Sequence, residues 1–411
     1  MIKHYRNLIN FKNKNSQRSE NSNQPSAKVK FTLKILQKIN HGSLKIECPD
    51  EKLLKFGSTG ECVNIKLKNW NPFSSALKSG NIGFAESYIK GEWHTDNLPK
   101  LLEFFILNKN SLHTVFYGSL FGKFFYRIKH YLNENSIAGS KRNIHRHYNL
   151  GNNFYKLWLD KSMTYSGGLF VSDDISLEQA QDAKYQRVIE QINLNKNKQI
   201  LEIGCGWGGF AEKAAQIGSK ITAISLSEEQ LKFAKLRLKK NNLLNKVDLK
   251  FKDYREIKGN FDSIVSIEMF EAVGEKYWDL FFKSVHKLLS KDGKFCIQTI
   301  TIDDSLFARY RDSTDFIQQY IFPGGMLSSP SIFKKKLIKH NFKIIDEFAF
   351  GNDYAKTLSI WRKKFLEEKN MIKKEGFDEY FLKKWEFYFA YCEAGFRTGS
   401  LNLYQFTLMK N

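Results

Sequence analysis

The sequence of 411 residues contains no run of eighteen or more apolar residues, so no membrane-spanning helix is expected. Its opening stretch, MIKHYRNLINFKNKNSQRSENSNQ, lacks the apolar segment and small-residue cleavage site of a secretory signal, which argues against export. Cysteine is scarce. Cys48, Cys62, Cys205, Cys296 and Cys392 are scattered, odd in number and form no C-x-x-C pair. This pattern speaks against a disulfide framework and a zinc site, and suits free thiols in a reducing compartment. The closest histidine pair, His145 and His147, has no cysteine or carboxylate cluster beside it, so no metal is expected. Acidic residues are the minority, 43 against 65 Lys and Arg, giving a net charge of +22. Nucleic acid or a phospholipid surface would use that excess, but A/T-rich coding, which favours Lys, Asn, Ile and Phe, also produces it. No recognised nucleic-acid motif accompanies the charge, and no nucleic-acid partner is expected.

What is present is enough for one large α/β domain and a smaller companion, and 42% hydrophobic residues exclude wholesale disorder. Residues 1–29 are polar and basic and read as a disordered tail. A folded unit is expected over 30–116. SLKIECP, KLLKFG and VNIKLKNW look like short strands, Gly80, Gly83 and Gly91 punctuate the stretch that follows, and Asn97 with Pro99 opens a helix through LPKLLEFFIL. Over 117–140, apolar residues from Tyr117 to Leu132 recur at helical spacing with Lys123, Arg127 and His130 on the other side, a basic amphipathic linker helix. Such a helix suits an anionic membrane surface, although packing against a domain explains it equally. From 141 to 411 strands and helices alternate, which implies a mostly parallel sheet covered on both faces.

The first of these βα units holds the strongest local signal. Gly204, Gly206 and Gly209 in LEIGCGWGG satisfy G-x-G-x-x-G between a strand and a helix. Two readings stay open: a dinucleotide site, or a pocket in which the glycines let the backbone approach a nucleoside sulfonium. Acid placement favours the second. Glu202 stands just before the loop, where it can meet an α-ammonium group, and the second strand ends in Ser225 without a terminal acid. Asp253 and Tyr254 after the third strand offer an acceptor and an aromatic face for adenine.

Beyond that loop, the chain from about residue 35 to 411 resembles the cyclopropane-fatty-acyl-phospholipid synthases, including the mycolic acid cyclopropane synthases. The resemblance rests on ordered blocks: GFAESYIKGEW (83–93), HYNLGNNFYKLWLD (147–160), MTYSGGLF (163–170), LEIGCGWGGFA (201–211), SLSEEQ (225–230), KDYREI (252–257), SIEMFEAVG (266–274), YIFPGGMLSS (320–329), FGNDYAKTLSIW (350–361) and YCEAGFRTGSLNLYQFTL (391–408). It implies an α/β fold with a Rossmann-like class I methyltransferase sheet, helices on both faces, and a smaller N-terminal α+β domain that associates with lipid. It also implies S-adenosylmethionine as cofactor. Tyr165 and Ser166 would contact it, Glu202, Gly204 and Gly206 would form its loop, Ser225 and Gln230 would hold the ribose, and Asp253 and Tyr254 would lie near adenine. A bicarbonate ion is implied beside the reacting carbon, with Glu271, Ile300 and Tyr354 at three of its contacts. Two further contacts depart from the family: its cysteine after Tyr-Ser is Gly167 and its histidine is Gln298. The implied partner is an unsaturated phospholipid in the inner face of the membrane, reached from the cytoplasm, and a homodimer is compatible with the pattern.

The implied reaction puts a methyl carbon on a cis double bond and leaves a carbocation, which an apolar aromatic channel must shield from water. Tyr165, Phe170, Phe270, Tyr320, Phe322 and Tyr354 are the aromatic candidates; most are equally explained as core, and Tyr165 and Tyr354 are preferred. Bicarbonate would then remove a proton so that the ring closes. The departures at Gly167 and Gln298 leave room for a methylene-branched product, which a reductase could turn into a methyl branch. Rival readings are a small-molecule methyltransferase and a non-catalytic lipid-surface protein.

Overall fold

The computed structural model describes residues 25–58, 60–112, 135–136, 139–140 and 150–411. Most of the expected tail, nearly all of the expected helix at 117–140, and His145 and His147 lie outside the described residues. The chain divides into two compact units, Met1–Ser119 with Glu368–Phe387, and Leu120–Glu367 with Tyr388–Asn411. A stretch near the C-terminus thus belongs to the smaller unit, although the sequence reading places all of 141–411 together.

In the smaller unit, helix α1 (Ala27–Leu36) begins inside the span expected to be disordered. Ser26 caps it by accepting from Val29 N at 3.4 Å, and Val29, Ile35 and Leu36 are buried. Strands β1 (Ser43–Glu47), β2 (Leu53–Phe56), β3 (Cys62–Leu67) and β4 (Trp93–His94) form a sheet in the order β2-β1-β3-β4. β1 and β3 are parallel and the other pairs antiparallel. The glycines expected as punctuation lie instead in or just after a helix, α2 (Asn71–Ile89). Gly80 breaks it at φ 58, whereas Gly83 stays helical and is glycine because a Cβ there would meet the Ser75 carbonyl oxygen at 2.1 Å. The Trp93 ring stacks on Phe84 at 4.4 Å, and its Nε1 donates to Ser87 Oγ at 2.9 Å. Helix α3 (Leu98–Leu107) opens as the sequence predicts, with Asn97 accepting from Lys100 N at 3.2 Å.

The larger unit is built on the alternation read from the sequence. Its elements run α4 (Asn152–Trp158), α5 (Leu177–Gln191), β5 (Gln199–Ile203), α6 (Gly209–Ile217), β6 (Lys220–Ser225), α7 (Glu228–Lys240), β7 (Val247–Phe251) and β8 (Phe261–Ile267). They continue with α8 (Trp278–Leu288), β9 (Leu289–Ile302), α9 (Pro330–Lys339), β10 (Phe342–Ala349), α10 (Gly351–Glu367), α11 (Glu379–Arg397) and β11 (Leu401–Lys410). Residues of α11 up to Phe387 belong to the smaller unit.

The sheet order is β10-β11-β9-β8-β5-β6-β7, with β5 to β9 parallel to one another and β11 antiparallel to both β9 and β10. Successive strand residues serve opposite faces, as the pleat requires. Ile200, Ala223, Val265 and Cys296 join a core with Phe210, Val188 and Leu238, whereas Leu201, Ile224, Ile264 and Phe295 join one with Phe281, Phe282 and Leu337. This is the expected Rossmann-like sheet covered on both sides. Strand order reverses at β5, between β6 and β8, and crevices of such sheets form at the carboxyl ends of the strands there. Among the described residues no helix is long and apolar enough to cross a membrane.

Candidate active site

After β5 the chain turns through Gly204 (φ 87), Gly206 (φ 52) and Gly208 (φ 80), backbone angles that a side chain disfavours. Gly204 N and Cys205 N both donate to Ile224 O, at 3.0 and 2.9 Å, which pins the loop to the end of β6. A Cβ on Gly204 would meet the Met269 side chain at 2.9 Å, so the loop lies against the segment that follows β8. A Cβ on Gly206 would meet nothing nearer than Gln230 Nε2 at 4.0 Å, and the space beside it is open. Gly209 is glycine for packing, because a Cβ there would meet the Tyr185 hydroxyl at 2.8 Å.

The residues expected around this loop fall into two groups. Glu202 is buried, its Oε2 has no partner among the described residues, and burial pushes its pKa up to about 8. Ser225 Oγ donates to Gln230 Oε1 at 3.1 Å and accepts from Ser227 N at 3.1 Å, which sets this pair at the end of β6. Asp253 and Tyr254 are more committed to the fold. The Asp253 carboxylate accepts from Arg255 N, Nε and Nη2 at 3.0, 2.7 and 2.7 Å, and the Tyr254 ring packs on Phe281 at 5.3 Å.

A second cluster gathers at the ends of β8 and β9 around Glu268, the residue after β8. Its Oε1 accepts from Gly167 N at 2.8 Å and Gln298 Nε2 at 2.7 Å, and its Oε2 accepts from the Tyr354 hydroxyl at 2.7 Å. Glu268 has φ 48, left-handed backbone that costs a side-chain-bearing residue about 1–2 kcal/mol. Strain of this kind persists only where the surroundings impose it, and it gathers at functional sites. Three residues on, Glu271 Oε1 accepts from Ile300 N at 2.6 Å and Thr299 Oγ1 at 3.0 Å. Burial, reinforced by the Glu268 charge, pushes Glu271 up to about 8. Burial pushes Glu268 up too, but the buried Lys184 charge and the three donors oppose that rise. Desolvation in turn pushes Lys184 down to about 7. Both acids are thus pushed above the ordinary carboxylate range, Glu271 by burial and the Glu268 charge, and Glu268 by burial against the Lys184 charge and its three donors.

The orientation of the Gln298 amide is fixed from a distance. Gln298 Oε1 accepts from Gln405 Nε2 at 2.9 Å across β9 and β11, and Gln405 Oε1 accepts from Arg187 Nη1 at 2.9 Å. A guanidinium only donates, so it turns the Gln405 carbonyl toward itself, and each amide then presents its N–H group to the next member. The relay ends by donating to Glu268.

Aromatic rings surround the cluster. The Tyr165 ring lies 5.3 to 5.7 Å from Tyr155, Trp158 and Trp361, and its hydroxyl is 2.7 Å from that of Tyr388. Tyr354 packs on Phe396 at 4.7 Å and Trp361 at 6.1 Å, so Trp361 touches both tyrosines singled out in the sequence. Ser166 is held by Gln181 Nε2 on its carbonyl at 2.7 Å and by Lys184 Nζ on its hydroxyl. Phe270 belongs to the core with Trp278 and Phe281.

These contacts require a correction to the implied bicarbonate. Its expected donors, Gly167 N, the Gln298 amide, Tyr354 and Ile300 N, are all engaged by Glu268 or Glu271. Among the described residues a further anion there would face two carboxyl groups, with all four expected donors already taken, so bicarbonate does not fit. The family's cysteine is absent for a related reason: a Cβ on Gly167 would meet Leu403 Cδ2 at 2.6 Å and the Tyr354 ring at 3.0 Å. Sequence reasoning missed Glu268 and Lys184. Glu268 stands in SIEMFEAVG, where a second acid three residues before Glu271 was its signal; Lys184, among polar helix residues, gave none.

Residues 136–406 match the family model described as mycolic acid cyclopropane synthetase. A tuberculostearic acid methyltransferase of Mycobacterium tuberculosis is 35% identical over 353 residues, covering 81% of this chain and 80% of the relative. The cyclopropane-fatty-acyl-phospholipid synthase of Escherichia coli is 31% identical over 348 residues, covering 84% and 87%. Among solved structures, mycolic acid cyclopropane synthase CmaA1 complexed with SAH and CTAB superposes with a TM-score of 0.62 at 28% identity, covering 66% of this chain and 98% of that one.

Proposed function

The chain belongs to the mycolic acid cyclopropane synthetase family, and from that premise we propose that it adds the methyl carbon of S-adenosylmethionine to a cis double bond in an unsaturated phospholipid acyl chain and closes a cyclopropane ring. One observation carries the reading. The glycine loop lies against Met269, the neighbour of Glu268, so the open space at Gly206 adjoins a buried acid and aromatic cluster. The excess of basic residues suits approach to an anionic lipid surface on the inner face of the membrane.

The residues present fit the cofactor. Gly206 leaves room, Glu202 Oε2 is a buried acceptor without a partner for an ammonium group, and Ser225 with Gln230 offers a hydroxyl and an amide for a ribose. When bound, S-adenosylmethionine supplies an electrophilic methyl group on a sulfonium. The chain's own part is to hold the olefin against it and to exclude water, because an alkene is a weak nucleophile and the cation left on the acyl chain is quenched by water. The face of Tyr165, which is only partly buried, would stabilise that cation by about 0.5–2 kcal/mol.

Incubating the full chain with labelled S-adenosylmethionine and vesicles of unsaturated phospholipid is expected to put label into the lipid. Label that stays out of the lipid fraction would favour a small-molecule methyltransferase. A branched product is the second reading, favoured by the 35% identity to a tuberculostearic acid methyltransferase and by Gly167 and Gln298. Ring and exocyclic methylene are isomers, each adding CH₂ to the acyl chain. Mild catalytic hydrogenation separates them, because the methylene takes up hydrogen and the ring does not.

The cofactor assignment has its own check. Among the described residues the Cβ of Gly206→Ala meets nothing nearer than Gln230 Nε2 at 4.0 Å, so its stability cost is that of the left-handed backbone, about 1–2 kcal/mol. If the open space is the cofactor's, calorimetry will show affinity for S-adenosylhomocysteine falling by at least about tenfold. Unchanged affinity would move the cofactor elsewhere.

A further inference from the structure

We propose that Glu268 is the base of the reaction, a carboxylate built into the chain in place of an anion taken from solution. The inference rests on the lipid-modifying reading above and applies to either product of it.

The argument starts from hydrogen-bond capacity. Oε1 of Glu268 is full, with the Gly167 and Gln298 donors on it, whereas among the described residues Oε2 carries only the Tyr354 hydroxyl and keeps a lone pair. Every one of these partners donates. The polarised relay from Arg187 through Gln405 fixes the direction at Gln298, and Lys184 adds a buried positive charge acting on the group. Glu271, the acid three residues on, is itself pushed up by burial and by the Glu268 charge, which weakens its opposition. Glu268 therefore sits as a hydrogen-bond acceptor among aromatic side chains, beside the loop whose open space suits the methyl donor.

Gly167 and Gln298 then become parts of one arrangement. Glycine at 167 admits the Tyr354 ring, which delivers its hydroxyl to Oε2, and its N–H serves Oε1. Glutamine at 298 supplies an amide donor without adding charge. The positive φ of Glu268, where glycine would be unstrained, marks a side chain held against its backbone preference.

The step balances. After methyl addition, a proton leaves the new methyl carbon for Glu268 Oε2, and the C–H electron pair closes the ring onto the neighbouring cationic carbon. If a hydride has first shifted, the same pair forms the methylene double bond. Glu268 becomes a neutral carboxylic acid and returns its proton to solvent after product release.

The test uses the full chain, S-adenosylmethionine, dioleoylphosphatidylglycerol vesicles and buffer stripped of carbon dioxide. The parent protein is expected to turn over within about twofold of its rate with added bicarbonate, and Glu268→Gly to lose at least about 100-fold. Added bicarbonate is expected to restore part of that loss, because the glycine vacates the site and relaxes the backbone. Glu268→Gln, which fills the site without a base, is expected to be inactive and beyond rescue. A second readout is independent of turnover: NMR lines of isotope-labelled bicarbonate should broaden with Glu268→Gly and not with the parent, while both bind S-adenosylhomocysteine equally. A parent that requires or binds bicarbonate, or a Glu268→Gly variant as fast as the parent without it, overturns the proposal. If the parent binds S-adenosylhomocysteine but modifies no lipid, the proposed function fails, and the NMR comparison still decides whether Glu268 holds the anion's place.

Discussion

At about pH 8 the Glu202→Gln protein is expected to be more stable than its parent by about 4 kcal/mol, although the two are nearly equal near pH 5. Glu202 is wholly buried and its folded pKa is raised to about 8, whereas an unfolded glutamate titrates near 4.5. Between those values the folded chain holds a proton that the unfolded chain has lost, so stability falls as pH rises, with the unfolding constant growing about tenfold per pH unit. Glutamine resembles the protonated acid and carries no such slope. Denaturant titrations at a series of pH values check this, and parallel curves for the two proteins would refute it. The orphaned Oε2 adds a corollary. A ligand ammonium beside Glu202 favours the charged form, so saturating S-adenosylmethionine should narrow the gap at high pH.

Gln298→Leu is expected to lower kcat by about 100-fold while affinity for S-adenosylhomocysteine stays within about threefold. The leucine removes the amide donor from Glu268 and leaves the Gln405 N–H group without its acceptor, which costs about 1–3 kcal/mol of stability. Gln298→His restores a donor, and its kcat should recover to within about tenfold of the parent. Equal losses in both variants would mean that donation at this position does not matter. Steady-state kinetics with lipid vesicles, together with calorimetry for the cofactor product, separate these outcomes.

The catalytic sheet was legible in the sequence because its information is local. Both units from Gln199 to Lys240 pair a short strand with a helix beginning a few residues later, and the glycine loop punctuates the first of them. What was not legible depends on separation along the chain. β11 is inserted between β9 and β10, a pairing that brings Gln405 opposite Gln298, and no spacing rule links residues so far apart. Helix α2 was hidden by its glycines, since Gly83 serves close packing against Ser75 rather than a turn. At the site, Gly167 and Gln298 were seen as departures, but their meaning lay in Glu268, whose backbone angle and partners exist only in the folded chain. Glu271 was singled out as a contact of the implied bicarbonate, and its engagement by Ile300 and Thr299 could not be read from a motif.

The left-handed backbone at Glu268 has an evolutionary corollary. Glutamate and glycine codons differ by one nucleotide, and at φ 48 the glycine is the more comfortable occupant. Losing the built-in carboxylate therefore relaxes the backbone while stranding the donors of Gly167, Gln298 and Tyr354, a vacancy that a small dissolved anion can fill. Lineages descended from such a protein can exchange self-sufficiency for dependence on ambient carbonate, and back again, in one mutational step.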